Sequence, residues 1–113
     1  FINHNSGAVK DSINAEFALA FAFIENHYFV NKGFLDNENQ LLNNVDIIRD
    51  IPAIIIQGRY DIVCPPTTAY ELHSRWPESD LIIAPFSGHS SLEEEITHEL
   101  IKATNQFSTD EYN

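Results

Sequence analysis

Ile51-Pro52-Ala53-Ile54-Ile55-Ile56-Gln57-Gly58-Arg59-Tyr60-Asp61 decides the fold, together with a second stretch, Leu81-Ile82-Ile83-Ala84-Pro85-Phe86-Ser87-Gly88-His89-Ser90. Each is a run of apolar, largely β-branched residues that reaches a glycine and then presents one acid–base side chain. Ala53 to Gln57 is apolar without alternation, which predicts a strand buried on both faces and therefore a parallel sheet. Leu81 to Ala84 predicts its partner. Between them Pro65-Pro66 opens a helix, since proline suits a first helical turn, and Pro77 closes it. Ala69, Tyr70, Leu72, His73 and Trp76 give that helix an apolar side. A strand–helix–strand unit implies a parallel crossover, so both loops after the strands fall at one sheet edge. Asp61 and His89 are thereby expected to meet.

Working outward, Ile13, Phe17, Ala20, Phe21, Ile24 and Tyr28 recur at helical spacing and predict a helix over residues 12–28, with Asp11 or Ser12 as its cap. Phe29 to Asn39 reads as a loop, and Leu41, Leu42, Val45 and Ile48 as a short second helix. Ser91-Leu92-Glu93-Glu94 has the form of a capping box. Leu92, Ile96, Leu100, Ala103 and Phe107 then predict an amphipathic helix, followed by a polar tail. The expected class is α/β: two parallel strands flanked by helices.

Composition narrows the function classes. Seventeen acidic residues against six basic ones give a formal net charge of −11, which repels nucleic acids and anionic membranes. No apolar run approaches the roughly 20 residues that span a bilayer. The first residues, Phe1-Ile2-Asn3-His4-Asn5, do not read as a signal peptide, and a chain without any Met reads as a piece of something longer. One cysteine, Cys64, excludes an intrachain disulfide and fits a reducing compartment, hence a cytoplasmic expectation. The five histidines show no H-x-x-x-H or H-E-x-x-H spacing, so neither metal nor cofactor is expected.

Asp61 and His89 carry the chemistry. A sheet-edge Asp followed by a sheet-edge His is how α/β-hydrolases place two members of a Ser-His-Asp triad. In such a triad the His takes the nucleophile's proton and the Asp orients the ring. Alone, each has a plain structural alternative: Asp61 as a turn cap and His89 as a loop residue. Their joint order after two β-rich runs is what singles them out. A G-x-S-x-G nucleophile turn is absent, because no two of the four glycines stand four apart. Cys64 as a nucleophile is disfavoured by its place three residues after Asp61. Glu93-Glu94-Glu95 reads as a solvated helix start.

Longer strings are more specific. Ile24-Glu25-Asn26-His27-Tyr28-Phe29, Gly58-Arg59-Tyr60-Asp61-Ile62-Val63-Cys64-Pro65, Leu72-His73-x-x-Trp76-Pro77 and Gly88-His89-Ser90 resemble the proline iminopeptidases. These are α/β-hydrolase serine peptidases that remove an N-terminal proline. The resemblance runs from about residue 12 to 107 and identifies the chain with their C-terminal portion: residues 1–38 the end of the cap and a connecting helix, 39–113 the last two strands and their helices. It implies that Asp61 and His89 are the triad acid and base. It also implies that Glu25 binds the substrate's free amino group and that Phe29 and Cys64 lie beside the proline ring. The substrate would be a peptide with an N-terminal proline. Phe23 stands where the family often has arginine, and Tyr70 where tryptophan is common. A chain lacking the nucleophile is expected to be inactive alone and to self-associate through its unpaired strand edge and exposed helix faces. The alternatives are a non-catalytic truncated fragment or assembly partner, and another α/β-hydrolase such as an esterase or epoxide hydrolase. The I-E-N-H-Y-F string argues against the latter.

Overall fold

The computed structural model describes residues 15–108, in two compact units that meet in sequence at Gln40 and Leu41. The predicted cap at Asp11 or Ser12 and the tail beyond Ser108 lie outside the described residues.

In the first unit α1 spans Ala15–Val30, so the helix continues past Phe29, where the sequence predicted a loop. The chain reverses through a 3-10 turn, Lys32–Phe34, in which Lys32, Gly33 and Phe34 all have positive φ (53°, 64° and 60°). Only glycine adopts that region without steric cost, so two of the three positions are strained. Local contacts hold them. Asn31 Nδ2 donates to the His27 carbonyl at 2.7 Å, satisfying an acceptor near the helix end. The Phe34 ring packs edge-on against Tyr28 and lies beside His27, with centroids 5.5 and 5.3 Å apart.

The second unit contains the sheet. The predicted helix at 41–48 is instead α2, Gln40–Asn43, followed by a 3-10 turn, Val45–Ile47. Val45 is buried there. β1, Ala53–Gly58, runs parallel to β2, Ser79–Ala84, in a register that sets Ala53 opposite Ser79 and Gly58 opposite Ala84. β2 therefore begins two residues before the apolar run, because paired backbone carries Ser79 and Asp80 into the ladder. The crossover helix α3, Pro66–Arg75, starts on Pro66 as predicted. Its far end is pinned to the strand starts. Trp76 Nε1 donates to the Ile51 carbonyl at 2.9 Å, Ser79 Oγ donates to the Trp76 carbonyl at 2.7 Å, and His73 Nδ1 lies 2.9 Å from Ser79 Oγ.

α4, Glu94–Ser108, packs on both strands and buries Ile96 and Ala103. The expected burial of β1 on both faces is not realised: Ala53 to Ile56 are half-buried, and only Gln57 and Gly58 are buried. A sheet of two strands has too little area to enclose them. Among the described residues no helix is long and apolar enough to cross a membrane.

Candidate active site

The carboxyl ends of β1 and β2 are pressed together. Arg59 N–H donates to the Ala84 carbonyl at 3.0 Å and Tyr60 N–H to the Ser87 carbonyl at 2.9 Å, so pairing continues past both strands. Gly58 makes this approach possible. A Cβ there would lie 2.8 Å from the Ser87 carbonyl oxygen, 2.9 Å from the Gly88 carbonyl carbon, and closer still to the Gly88 oxygen. The glycine serves close backbone approach, not an unusual φ.

This contact delivers Asp61 and His89 to each other. His89 Nδ1 lies 3.0 Å from Asp61 Oδ2 and 3.1 Å from Oδ1, across 28 residues of sequence. Asp61 is buried, while the His89 side chain is 55% exposed, so the ring's other edge is open to a reactant. The Asp61 carboxylate is tethered by its own turn. Oδ1 accepts Val63 N–H at 3.0 Å and Cys64 N–H at 2.8 Å. Burial works to raise the Asp61 pKa. Hydrogen bonds from Cys64 N–H, His89 and Val63 N–H, with the charge of His89, outweigh it and hold the carboxyl below its ordinary value. An ionised carboxylate only accepts, so the imidazole presents Nδ1–H to it and keeps Nε2 free as a base.

Gln57, the last side chain of β1 before Gly58, is buried beneath this turn. Its Nε2 donates to the Cys64 carbonyl at 3.1 Å, to the Gly58 carbonyl at 3.1 Å, and at 3.4 Å to Asp61 Oδ2. In the sequence it reads only as a strand residue.

The histidine loop is held from the first turn of α4 and the residue before it. Glu95 Oε2 accepts Phe86 N–H at 2.9 Å and the buried Ser87 hydroxyl at 3.0 Å. Glu93 accepts Gly88 N–H at 2.8 Å and Ser90 N–H at 3.1 Å. Two of three acids read as solvated are thus clasps on either side of His89. The predicted capping box moves with them. Glu93, not Glu94, reaches back to Ser90, not Ser91, while Ser90 Oγ accepts Leu92 N–H at 3.2 Å. The helix starts after this turn, leaving Leu92 outside it and 80% exposed.

Cys64 completes the cluster, exposed and with one donor atom each from itself, Asp61 and His89 mutually within 4.8 Å. Glu25 and Phe29 lie on α1 in the other unit, both exposed.

No family model matches the chain. Curated relatives do. The chain is 49% identical over 108 residues to a proline iminopeptidase of Xanthomonas citri, covering 96% of this chain and 34% of that protein. It is 55% identical over 92 residues to a probable proline iminopeptidase of Leptolyngbya boryana, covering 81% and 29%. It is 48% identical over 103 residues to a proline iminopeptidase of Arabidopsis thaliana, covering 91% and 27%. The chain spans about a third of the length of these relatives and matches a C-terminal portion of them.

Proposed function

We propose that this chain is the C-terminal part of an α/β-hydrolase that acts as a serine peptidase on N-terminal proline, and that it supplies the triad acid and base. The observation that carries the proposal is the Asp61–His89 contact at 3.0 Å, built on a tethered carboxylate and an open imidazole. The similarity to proline iminopeptidases supplies the substrate class. The chemistry assigned to these residues is proton transfer. His89 Nε2 accepts the proton of a nucleophilic hydroxyl as that oxygen attacks the carbonyl of the substrate's N-terminal residue. Asp61 steadies the imidazolium so formed. His89 then returns the proton to the departing amine.

Glu25 is assigned to the substrate's ammonium by a charge-assisted hydrogen bond, and Phe29 and Cys64 to the walls of the proline site. No cofactor is required, and the protein is assigned to the cytoplasm. These 113 residues contain no G-x-S-x-G turn, so the chain by itself lacks the hydroxyl that His89 would activate. We assign neither Ser87 nor Ser90 to this role: Ser87 Oγ donates to Glu95, and both flank His89 within its own loop.

The test is hydrolysis of a prolyl amide by the isolated chain and by the full open reading frame that encodes it. The chain alone is expected to be inactive. The full product is expected to release proline and to lose at least about 10³-fold in kcat on His89→Gln or Asp61→Asn. Turnover by the isolated chain that disappears in Ser90→Ala would overturn the assignment, as would a full product indifferent to His89→Gln.

A further inference from the structure

The turn after β1 adds a thiol, which proton transfer leaves unused, to the carboxylate and imidazole. We propose that Asp61, Cys64 and His89 form a binding site for a borderline-soft divalent cation of the zinc class. A carboxylate oxygen, a thiol sulfur and an imidazole nitrogen lie mutually within 4.8 Å. In a tetrahedral zinc site, bonds of about 2.3 Å to sulfur and 2.0–2.1 Å to nitrogen or oxygen put neighbouring donors about 3.5 Å apart. Asp61 and His89 already stand inside that spacing at 3.0 Å and must part slightly, while a donor at the 4.8 Å limit must close by about 1.3 Å. Cys64 and His89 are both exposed, and this adjustment is assigned to rotation of their side chains.

The frame behind the donors is already ordered. Asp61 Oδ1 accepts the N–H groups of Val63 and Cys64, which fixes the carboxylate relative to the Cys64 backbone. Gln57 Nε2 holds the Cys64 carbonyl and reaches Asp61 Oδ2. Such outer contacts orient metal ligands. A thiolate and a carboxylate with a neutral imidazole match a dication in charge, and the mixed S, N, O set selects against magnesium and calcium. Three protein donors leave the fourth position to water. Sequence spacing hides the site, because its donors come from two loops and Asp-x-x-Cys is no recognised half-site.

Cation binding and the His89–Asp61 hydrogen bond compete for the same carboxylate and ring. The site would therefore act as a reversible brake on proton transfer. The inference needs only the three donors and does not rest on the peptidase reading, since binding is measured without substrate.

The experiment titrates the purified chain with Cd²⁺, read by the ultraviolet thiolate-to-metal charge-transfer band, and with Zn²⁺ by calorimetry. One equivalent is expected to saturate the band, and excess Mg²⁺ should not displace it. Cys64→Ser should abolish the band. His89→Gln and Asp61→Asn should keep it but weaken the ion's affinity by about tenfold or more. His98→Gln, an exposed histidine elsewhere on the unit, should change nothing. Backbone amide spectra establish that each variant keeps its fold, and His89→Gln alters an exposed side chain and suffices by itself. Absence of the band at equimolar Cd²⁺ overturns the proposal. So does Zn²⁺ affinity unchanged by His89→Gln, which would leave only a thiol capturing metal.

Discussion

Replacing Gly58 with alanine tests whether the meeting of Asp61 and His89 depends on close backbone approach. The added methyl would sit 2.8 Å from the Ser87 carbonyl oxygen and 2.9 Å from the Gly88 carbonyl carbon. Unstrained carbon–oxygen contacts begin near 3.3 Å, so the His89 loop must retreat by at least about 0.5 Å, and further to clear the Gly88 oxygen. The obstacles are backbone atoms, which cannot swing aside as a side chain end would. Overpacking of this kind costs about 1–3 kcal/mol, and loss of the Tyr60 N–H bond to the Ser87 carbonyl adds about 1 kcal/mol. A total of about 2–4 kcal/mol should lower the urea midpoint by roughly 1–2 M for a small unit. The same retreat should lengthen the 3.0 Å contact between His89 Nδ1 and Asp61. Nitrogen-15 spectra of the His89 ring read this directly, because the bond fixes the proton on Nδ1. The expected result is a lower midpoint together with a mixture of ring tautomers. A variant with an unchanged midpoint and a His89 ring still held as the Nδ1–H tautomer would refute the reasoning.

Three further outcomes follow from the same geometry. The Asp61 pKa is depressed on folding, so its stabilisation is complete above the unfolded value of about 3.9 and is lost as pH falls through the lower folded value. Urea midpoints below about pH 4 should therefore fall more steeply for the native chain than for Asp61→Asn, and parallel curves would contradict the tether. Glu95→Ala strips the acceptor from Phe86 N–H and from the buried Ser87 hydroxyl, and should cost about 1–3 kcal/mol with broadened His89 ring signals. Glu94→Ala, at an exposed neighbour, should cost little, and equal losses in both would remove the clasp from the account. Finally, β1 is paired on one edge only among the described residues, and Ile62, Phe86 and Leu92 are at least 80% exposed in the same unit. The isolated chain should self-associate, as a symmetric dimer, and a monomer by light scattering at high micromolar concentration would count against this.

The two strands and their order were legible because apolar runs bounded by Pro and Gly are local signals. So was the meeting of Asp61 with His89, since a parallel crossover leaves both following loops on one edge. What the sequence did not disclose is what makes that meeting exact in register. Gln57 looks like any strand residue, yet its amide lies under the Asp61 turn. Glu93 and Glu95 look like solvated charge at a helix start, yet their oxygens take three backbone N–H groups and a hydroxyl from the His89 loop. Both are through-space contacts between elements, which leave no period in the chain. The burial of β1 misled for a related reason: an unbroken apolar run reports what a strand is suited to bury, not how many strands surround it. The Asp61–His89 pair is therefore the visible end of a larger specification. An Asp after one strand and a Gly-His after the next supply the two side chains. A missing side chain at Gly58, an amide below and two carboxylates beside the loop supply the distance. Transplanting only Asp61 and His89 onto another parallel strand pair would carry over the groups without the 3.0 Å contact that lets one orient the other.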